Sequence, residues 1–517
     1  METVSLSSLQ ASIDDDSWRR LESYLGNVEA GYEEQLKTPF YQGNDDHFRE
    51  YAMWYYDNIA KSDIDELNEI ELDEVDNFGP FSTRLPWEER KEGVLEYFQN
   101  PEGQDNAMLK SAFMSLSRLI PSHSLTPLTF KASFGAMPKD ANLGLPFFSK
   151  DKIYLDSYLK RAESIAHGGY KERLFPSVLG WRGQANGDPS APKQRVVWMQ
   201  DHCETIIGLS IQVPLLEKLR KFSQFAAWNQ LSRVDEVVTA MIDSTRLPIM
   251  SLDFSGFDKR YARLLNHLTF ELMRYWFVHS AKRQLDWLEQ EIETVPLVVP
   301  SGIITGNHGM PSGSALTNLG DSLGQLLMIL PFFLAVTVLG DDGVGKLNPT
   351  FLVDPETVTK TLFSQYGAVV SADKGGFSSD QVRYLQRLHL RKYRVHGLCV
   401  GIRSLTRTWN GACHLERRIP DLPEEFFSAR TISQLENAKY HPRFRKAVEY
   451  FYSIDRVVQE FDPVEIFTRA GGVERVEKVL GLNSYKFGSE LPSEGLNSFA
   501  TVIELRKLRQ QTRRKVT

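Results

Sequence analysis

The chain has 517 residues, 42% of them hydrophobic and 25% charged, with a formal net charge of −7. These values exclude a disordered or fibrous protein, and a chain this long exceeds what one core serves, so several lobes are expected. The acidic balance excludes a uniformly basic nucleic-acid coat but permits a basic channel inside an acidic shell.

The first residues, Met1-Glu-Thr-Val-Ser-Leu-Ser-Ser8, carry neither a basic nor an apolar leader pattern, so no secretory signal is read. Cys203, Cys399 and Cys413 stand in no metal-ligand spacing, which suits a reducing compartment and offers neither disulfide framework nor zinc site. Between Asp63 and Asp76, eight of fourteen residues are carboxylates, preceded by Met53-Trp-Tyr-Tyr56. That composition predicts a solvated helical face beside a packed aromatic patch; the alternative is an acidic surface that repels nucleic acid from all but one entrance.

From about 100 to 247, loops and short strands are expected. Asn142-Leu-Gly-Leu-Pro146 and Gly180-Trp-Arg-Gly-Gln-Ala-Asn-Gly-Asp-Pro189 read as turns. The segment Pro192-Lys-Gln-Arg-Val-Val-Trp-Met199 reads as a strand with Lys193 and Arg195 on one face. Arg182 joins them from the preceding loop, and three cations aimed one way can neutralise a triphosphate.

Next comes Leu247-Pro-Ile-Met-Ser-Leu-Asp253-Phe-Ser-Gly-Phe-Asp258, a buried strand, a carboxylate, a tight turn and a second carboxylate expected to cap the following helix. That helix places Leu264, Leu265, Leu268, Leu272 and Trp276 on a core face, and 277–303 reads as a charged amphipathic excursion. The glycine-rich loop Ser301–Gly313 lacks the Gly-Lys-Ser/Thr of a Walker A motif, yet its amides could meet a phosphate or ribose. A helix is expected from near Ser314. Ser322–Gly340 holds no charge, but Gly324, Gln325, Pro331 and Thr337 interrupt it, so a buried helix and strand explain it better than a membrane span, and a soluble protein is expected.

Val336-Thr-Val-Leu-Gly-Asp-Asp-Gly-Val344 reads as a hairpin with Asp341 and Asp342 at its tip. Two like charges there ask for compensation, most simply by a divalent cation. Farther on, Lys374 sits in a turn. The stretch Lys374–Arg418 holds ten Lys or Arg against Asp380 and Glu416, a phosphate-tracking surface or a plain charged face. Arg506–Thr517 has six basic residues and no acid, which predicts a mobile basic tail.

If the Asp253 strand lies beside the Asp341 hairpin, three carboxylates converge and can hold two divalent ions for in-line phosphoryl displacement. Mg²⁺ is the natural ion, with Mn²⁺ expected to substitute. Lys193 and Arg195 would neutralise incoming phosphates, and Lys374 could protonate the departing pyrophosphate.

In this order the segments resemble the palm motifs of viral RNA-dependent RNA polymerases, in wording and length those of picobirnaviruses first and partitiviruses second. Asp253–Asp258 resembles motif A, Ser312-Gly-Ser-Ala-Leu-Thr317 motif B, and Gly340-Asp-Asp342 motif C. Lys374 falls at motif D, Tyr384–His389 at motif E, Pro192–Arg195 at motif F and Asn142–Pro146 at motif G. The resemblance covers roughly residues 140 to 410. It implies a mixed α+β right hand closed around a template tunnel. The implied parts are an N-terminal bridge (1–100), fingers (101–247, with an insertion at 277–303), palm (248–276 and 304–394) and thumb (395–517). It also implies RNA synthesis on an RNA template from nucleoside triphosphates. Transcription and replication of a double-stranded genome inside a capsid follow from the same resemblance, in the virion interior and host cytoplasm and without a membrane. Where many relatives carry Asn, this chain has Asp321, so ribose selection is assigned to Asp258, Ser312 and Thr317, with Asn318 a lesser helper and Gly313 beside them. A reverse transcriptase would place a bulky aromatic at position 258; a catalytically silent RNA-binding protein would lack one of the three carboxylates.

Overall fold

The computed structural model describes residues 1–44, 47–137, 141–351, 354–371, 376–419, 421–472 and 495–516. Among them are twelve strands. The first six are β1 (Glu2–Val4), β2 (Ser177–Gln184), β3 (Lys193–Met199), β4 (Ile249–Leu252), β5 (Leu297–Val299) and β6 (Gly302–Thr305). The others are β7 (Phe333–Leu339), β8 (Asp342–Leu347), β9 (Phe377–Ser378), β10 (Gln381–Tyr384), β11 (Arg387–Leu390) and β12 (Ile402–Arg403). They form three sheets, ordered β1-β6-β5-β2-β3, β7-β8-β4-β9 and β10-β11-β12. Helices pack around them, so the architecture is mixed, as expected.

The central sheet is antiparallel throughout, with Leu252 of β4 opposite Gly343 of β8 and Leu339 of β7 opposite Asp342. All four residues of β4 are buried. The helix Thr317–Ile329 packs behind this sheet and is buried from Leu319 to Ile329. That burial explains the uncharged stretch from Ser322 onward; among the described residues no helix is long and apolar enough to cross a membrane. Lys346 is buried in β8 because its ammonium donates to Met241 O and Thr245 O at the end of the helix Leu231–Ser244 (2.5 and 2.6 Å).

The N-terminal region spans the molecule. Strand β1 pairs with β6, and Leu9, Leu21 and Leu25 pack with Leu145, Val178 and Ile303. Farther along, Tyr51, Tyr55 and Phe78 share a core with Trp409, Phe426 and Phe451, and the Tyr55 and Trp409 rings stack at 5.2 Å. The predicted aromatic patch is present. The acidic helix Asp65–Asp76, however, is not simply solvated. Glu66 pairs with Lys392 and Glu74 with Arg407, while buried Glu71 accepts from Ser404 Oγ and the amides of Leu405 and Thr406.

Those contacts also correct the expectation of a phosphate-tracking surface over 374–418. Arg387 is buried and donates to Gly401 O and Asn437 O, Arg391 and Arg394 pair with Asp243, and Arg418 pairs with Glu34. Most of these cations hold the chain to itself. The expected mobile tail is instead the end of a helix, Ala500–Val516, with Val502 and Leu505 buried and Arg506 paired with Asp462. An apolar face earlier in that helix anchors it, which the tail's own composition conceals.

Candidate active site

Extending the β4–β8 register by one residue puts Asp253 opposite Asp342, and the two-residue turn Gly340–Asp341 puts Asp341 beside them. Gly340 has φ +61°, which the turn needs at its first corner. Asp342 already belongs to the returning strand, so the turn closes one residue earlier than the sequence suggests. Its tip is held from the helix behind. Ser322 Oγ accepts from Gly340 N at 2.8 Å and Gln325 Nε2 donates to Asp341 O at 3.1 Å. A side-chain carbon on Gly343 would meet the Gln325 amide at 2.5 Å, so close packing requires the glycine there. The backbone of Asp253 is fixed by Ser371 N, which donates to its carbonyl at 2.7 Å.

Burial, then the charges of Asp341 and Asp253, push the Asp342 carboxyl up to about 7. Asp341 is raised as well, by burial first, with Asp253 adding and Arg195 and Lys193 opposing. Among the described residues no three acidic, imidazole or thiol side chains already form a metal shell. Strand register and mutual repulsion define the cluster. Half-buried like charges with only carboxylate oxygens to offer fit a hard divalent cation, and Mg²⁺ among them.

Facing them are the predicted cations. Arg182 lies within β2, not in a loop, directly opposite Arg195 of β3, with Lys193 two residues along on the same exposed face. Two guanidinium groups directly across a ladder repel, which an anion would relieve. Arg182 lies 3.8 Å from Glu416, and Arg195 acts on Asp258, Asp341 and Asp342. Lys374 lies outside the described residues.

Asp258 does not cap the next helix, which starts at Arg263 after Ala262. Instead its carboxylate accepts from Ser312 Oγ and touches Asp321. Burial and the charge of Asp341 push Asp258 up to about 7, and Asp321, buried and beside Asp258 and Asp341, rises well above the usual carboxylate range. Two carboxyls in contact and both raised are relieved by one proton shared between them, with Asp321 placed to donate to Asp258. Tyr97, which no sequence pattern singles out, is buried with its hydroxyl near Ser312 and Asp258.

Several amides of the glycine-rich loop are already engaged within the protein. Gly309 N donates to Tyr97 O, Met310 N to Asp258 O, and Gly313 N to Thr317 Oγ1. Thr317 Oγ1 in turn donates to Pro311 O and so holds the loop, while Asn318 Oδ1 accepts from Trp228 Nε1. Gly313, at φ +136°, lies against β3, where an added carbon would sit 2.2 Å from Trp198 O. Of the predicted site residues, the described ones thus gather around one space between β3, the loop and the hairpin.

Residues 106–381 match the family model described as viral RNA-dependent RNA polymerase. The chain is 30% identical over 470 residues to a potential RNA-dependent RNA polymerase of human picobirnavirus (strain Human/Thailand/Hy005102/-), covering 84% of this chain and 85% of that one. It is 27% identical over 209 residues to an RNA-directed RNA polymerase of Cryptosporidium parvum virus 1 (strain KSU-1), covering 38% and 39% of the two chains. The crystal structure of a human picobirnavirus RNA-dependent RNA polymerase superposes with a TM-score of 0.80 at 25% identity, covering 96% of this chain and all of that one. With the acidic hairpin, the loop and the basic strand assembled as described, the chain belongs to the viral RNA-dependent RNA polymerases and is an RNA-directed RNA polymerase.

Proposed function

We propose that the chain joins ribonucleotides on an RNA template through two divalent cations, Mg²⁺ by preference and Mn²⁺ in substitution, held by Asp253, Asp341 and Asp342. The convergence of those carboxylates from β4 and the β7–β8 turn carries this reading. When bound, the cations lower the pKa of the attacking hydroxyl and share the charge of the leaving pyrophosphate. The protein's own groups do the rest. Arg182, Lys193 and Arg195 neutralise the triphosphate, Asp258 accepts the ribose 2′-hydroxyl with Ser312 and Asp321 orienting it, and Lys374 hands a proton to pyrophosphate.

Residues 1–100 bridge fingers and thumb. Fingers are residues 101–247 with the insertion 277–303, palm 248–276 and 304–394, and thumb 395–517, closed around a template tunnel. The picobirnavirus match supports a role in transcribing and replicating a double-stranded RNA genome, bound to capsid protein in the virion interior and host cytoplasm. A reverse transcriptase is disfavoured by the carboxylate at position 258, which accepts a 2′-hydroxyl where a bulky aromatic would exclude it. A silent RNA-binding protein is disfavoured because all three acidic residues are present. Primed templates offered NTPs and dNTPs separately, with Mg²⁺ or Mn²⁺, test the reading: ribonucleotide incorporation that Asp341→Asn abolishes is expected, and a clear dNTP preference would overturn it.

A further inference from the structure

Glu204, in the helix His202–Leu219, is 1% exposed and belongs to none of the groups described so far. Its Oε1 accepts from Ser314 Oγ at 2.5 Å and its Oε2 accepts from Ala315 N at 3.3 Å. The strongest charged neighbours acting on it, Asp201 and Glu291, are acids, and with burial they push its carboxyl up to about 7. Burial in such surroundings disfavours a carboxylate, so its place is held by the two loop donors.

The same helix grips the loop twice more. Gln212 Nε2 donates to Ala315 O at 2.6 Å, and a carbon added at Gly208 would lie 3.0 Å from Ala315 Cβ. On the other side of the loop, Trp198 N donates to Ser312 O at 2.7 Å. Ser314 Oγ also accepts from Leu316 N at 3.1 Å, linking Glu204 to the start of the helix that carries Asp321. Only Gly313 separates Ser314 from Ser312, whose hydroxyl reaches Asp258. With the backbone held on both sides, the freedom of the Ser312 hydroxyl is set by how tightly Ser314 and Ala315 are tied.

We propose that Glu204 is a positioning residue that fixes Ser312 over Asp258 and thereby sets the preference for ribonucleotides over deoxyribonucleotides. The inference rests on the reading that Asp258 and Ser312 recognise the ribose.

The test uses the full chain and its variants E204A, E204Q, S314A, E204A/S314A and S312A. It measures kcat and KM for an NTP and its dNTP on a primed template, alongside thermal melting. E204A should cut the NTP-over-dNTP ratio by about five- to tenfold, the factor expected for one or two lost hydrogen bonds, mostly through a raised NTP KM. Gln keeps one acceptor, so E204Q should fall between E204A and the parent. The double variant should be no worse than E204A, because both substitutions break the same link. If E204A does not fold, E204Q and S314A carry the comparison. A ratio unchanged in E204Q and S314A while S312A lowers it would overturn the proposal, as would equal loss for NTP and dNTP. An unchanged ratio in S312A would overturn the ribose reading itself.

Discussion

Replacing Gly313 by alanine tests whether the loop over β3 must sit where it does. The new Cβ would lie 2.2 Å from Trp198 O, about 1.2 Å short of ordinary contact at 3.4 Å, and φ is +136°. The obstructing atom is a strand carbonyl whose own amide is tied to Ser312 O, so the loop must move and carry Ser312 with it. A displacement on the order of 1 Å at a substrate-positioning group costs roughly 10²-fold in rate. Single-nucleotide incorporation by rapid quench, with kcat/KM taken for each NTP, measures that loss. Gly397→Ala is the control, since Gly397 has φ +84° and nothing within 4 Å of an added carbon. It carries the conformational cost of a positive φ, roughly 1–3 kcal/mol, without the clash. Incorporation by Gly313→Ala within a few-fold of Gly397→Ala would refute the requirement for close approach.

Asp342→Asn should reduce synthesis by roughly 10²-fold or more while RNA affinity, read by fluorescence anisotropy, stays close to that of the parent. Its melting temperature should hold or rise, because a carboxyl that burial and then its acidic neighbours push up to about 7 is replaced by a neutral group. Arg195→Ala should raise the KM for NTPs about tenfold and flatten its salt dependence; an unchanged KM would remove Arg195 from phosphate binding. Glu71→Ala should lower stability by about 3–5 kcal/mol in urea unfolding, since it leaves the Leu405 and Thr406 amides and His441 unpaired in the core. Glu204 is raised from 4.5 to about 7, so between those pH values the native state keeps a proton that the unfolded chain has lost. Parent stability relative to E204Q should therefore fall as pH rises across that window, by up to about 1.4 kcal/mol per unit, and level off above it. A pH-independent difference would contradict the assignment.

The sequence by itself determined the local pieces of the site. Asp253 closes a short buried strand, Gly340 must take a positive φ beside Asp341, and Lys193 and Arg195 alternate onto one face, because turn and strand chemistry are written in adjacent residues. It also marked Asp321 as a departure from its relatives, without saying what an acid could do there. Only the tertiary structure set Asp321 against Asp258, where burial and a neighbouring carboxylate, not residue type, raise both carboxyls above their usual range. Charge partners were likewise invisible. The acidic run at 65–76 and the basic run beyond 380 read as two free surfaces, yet Glu66, Glu71 and Glu74 spend their charge on Lys392, the Ser404–Thr406 turn and Arg407. Tyr97 and Glu204 left no signal at all. Their effect on Ser312 comes from packing between segments far apart in the chain, and such packing exists only once the chain has folded.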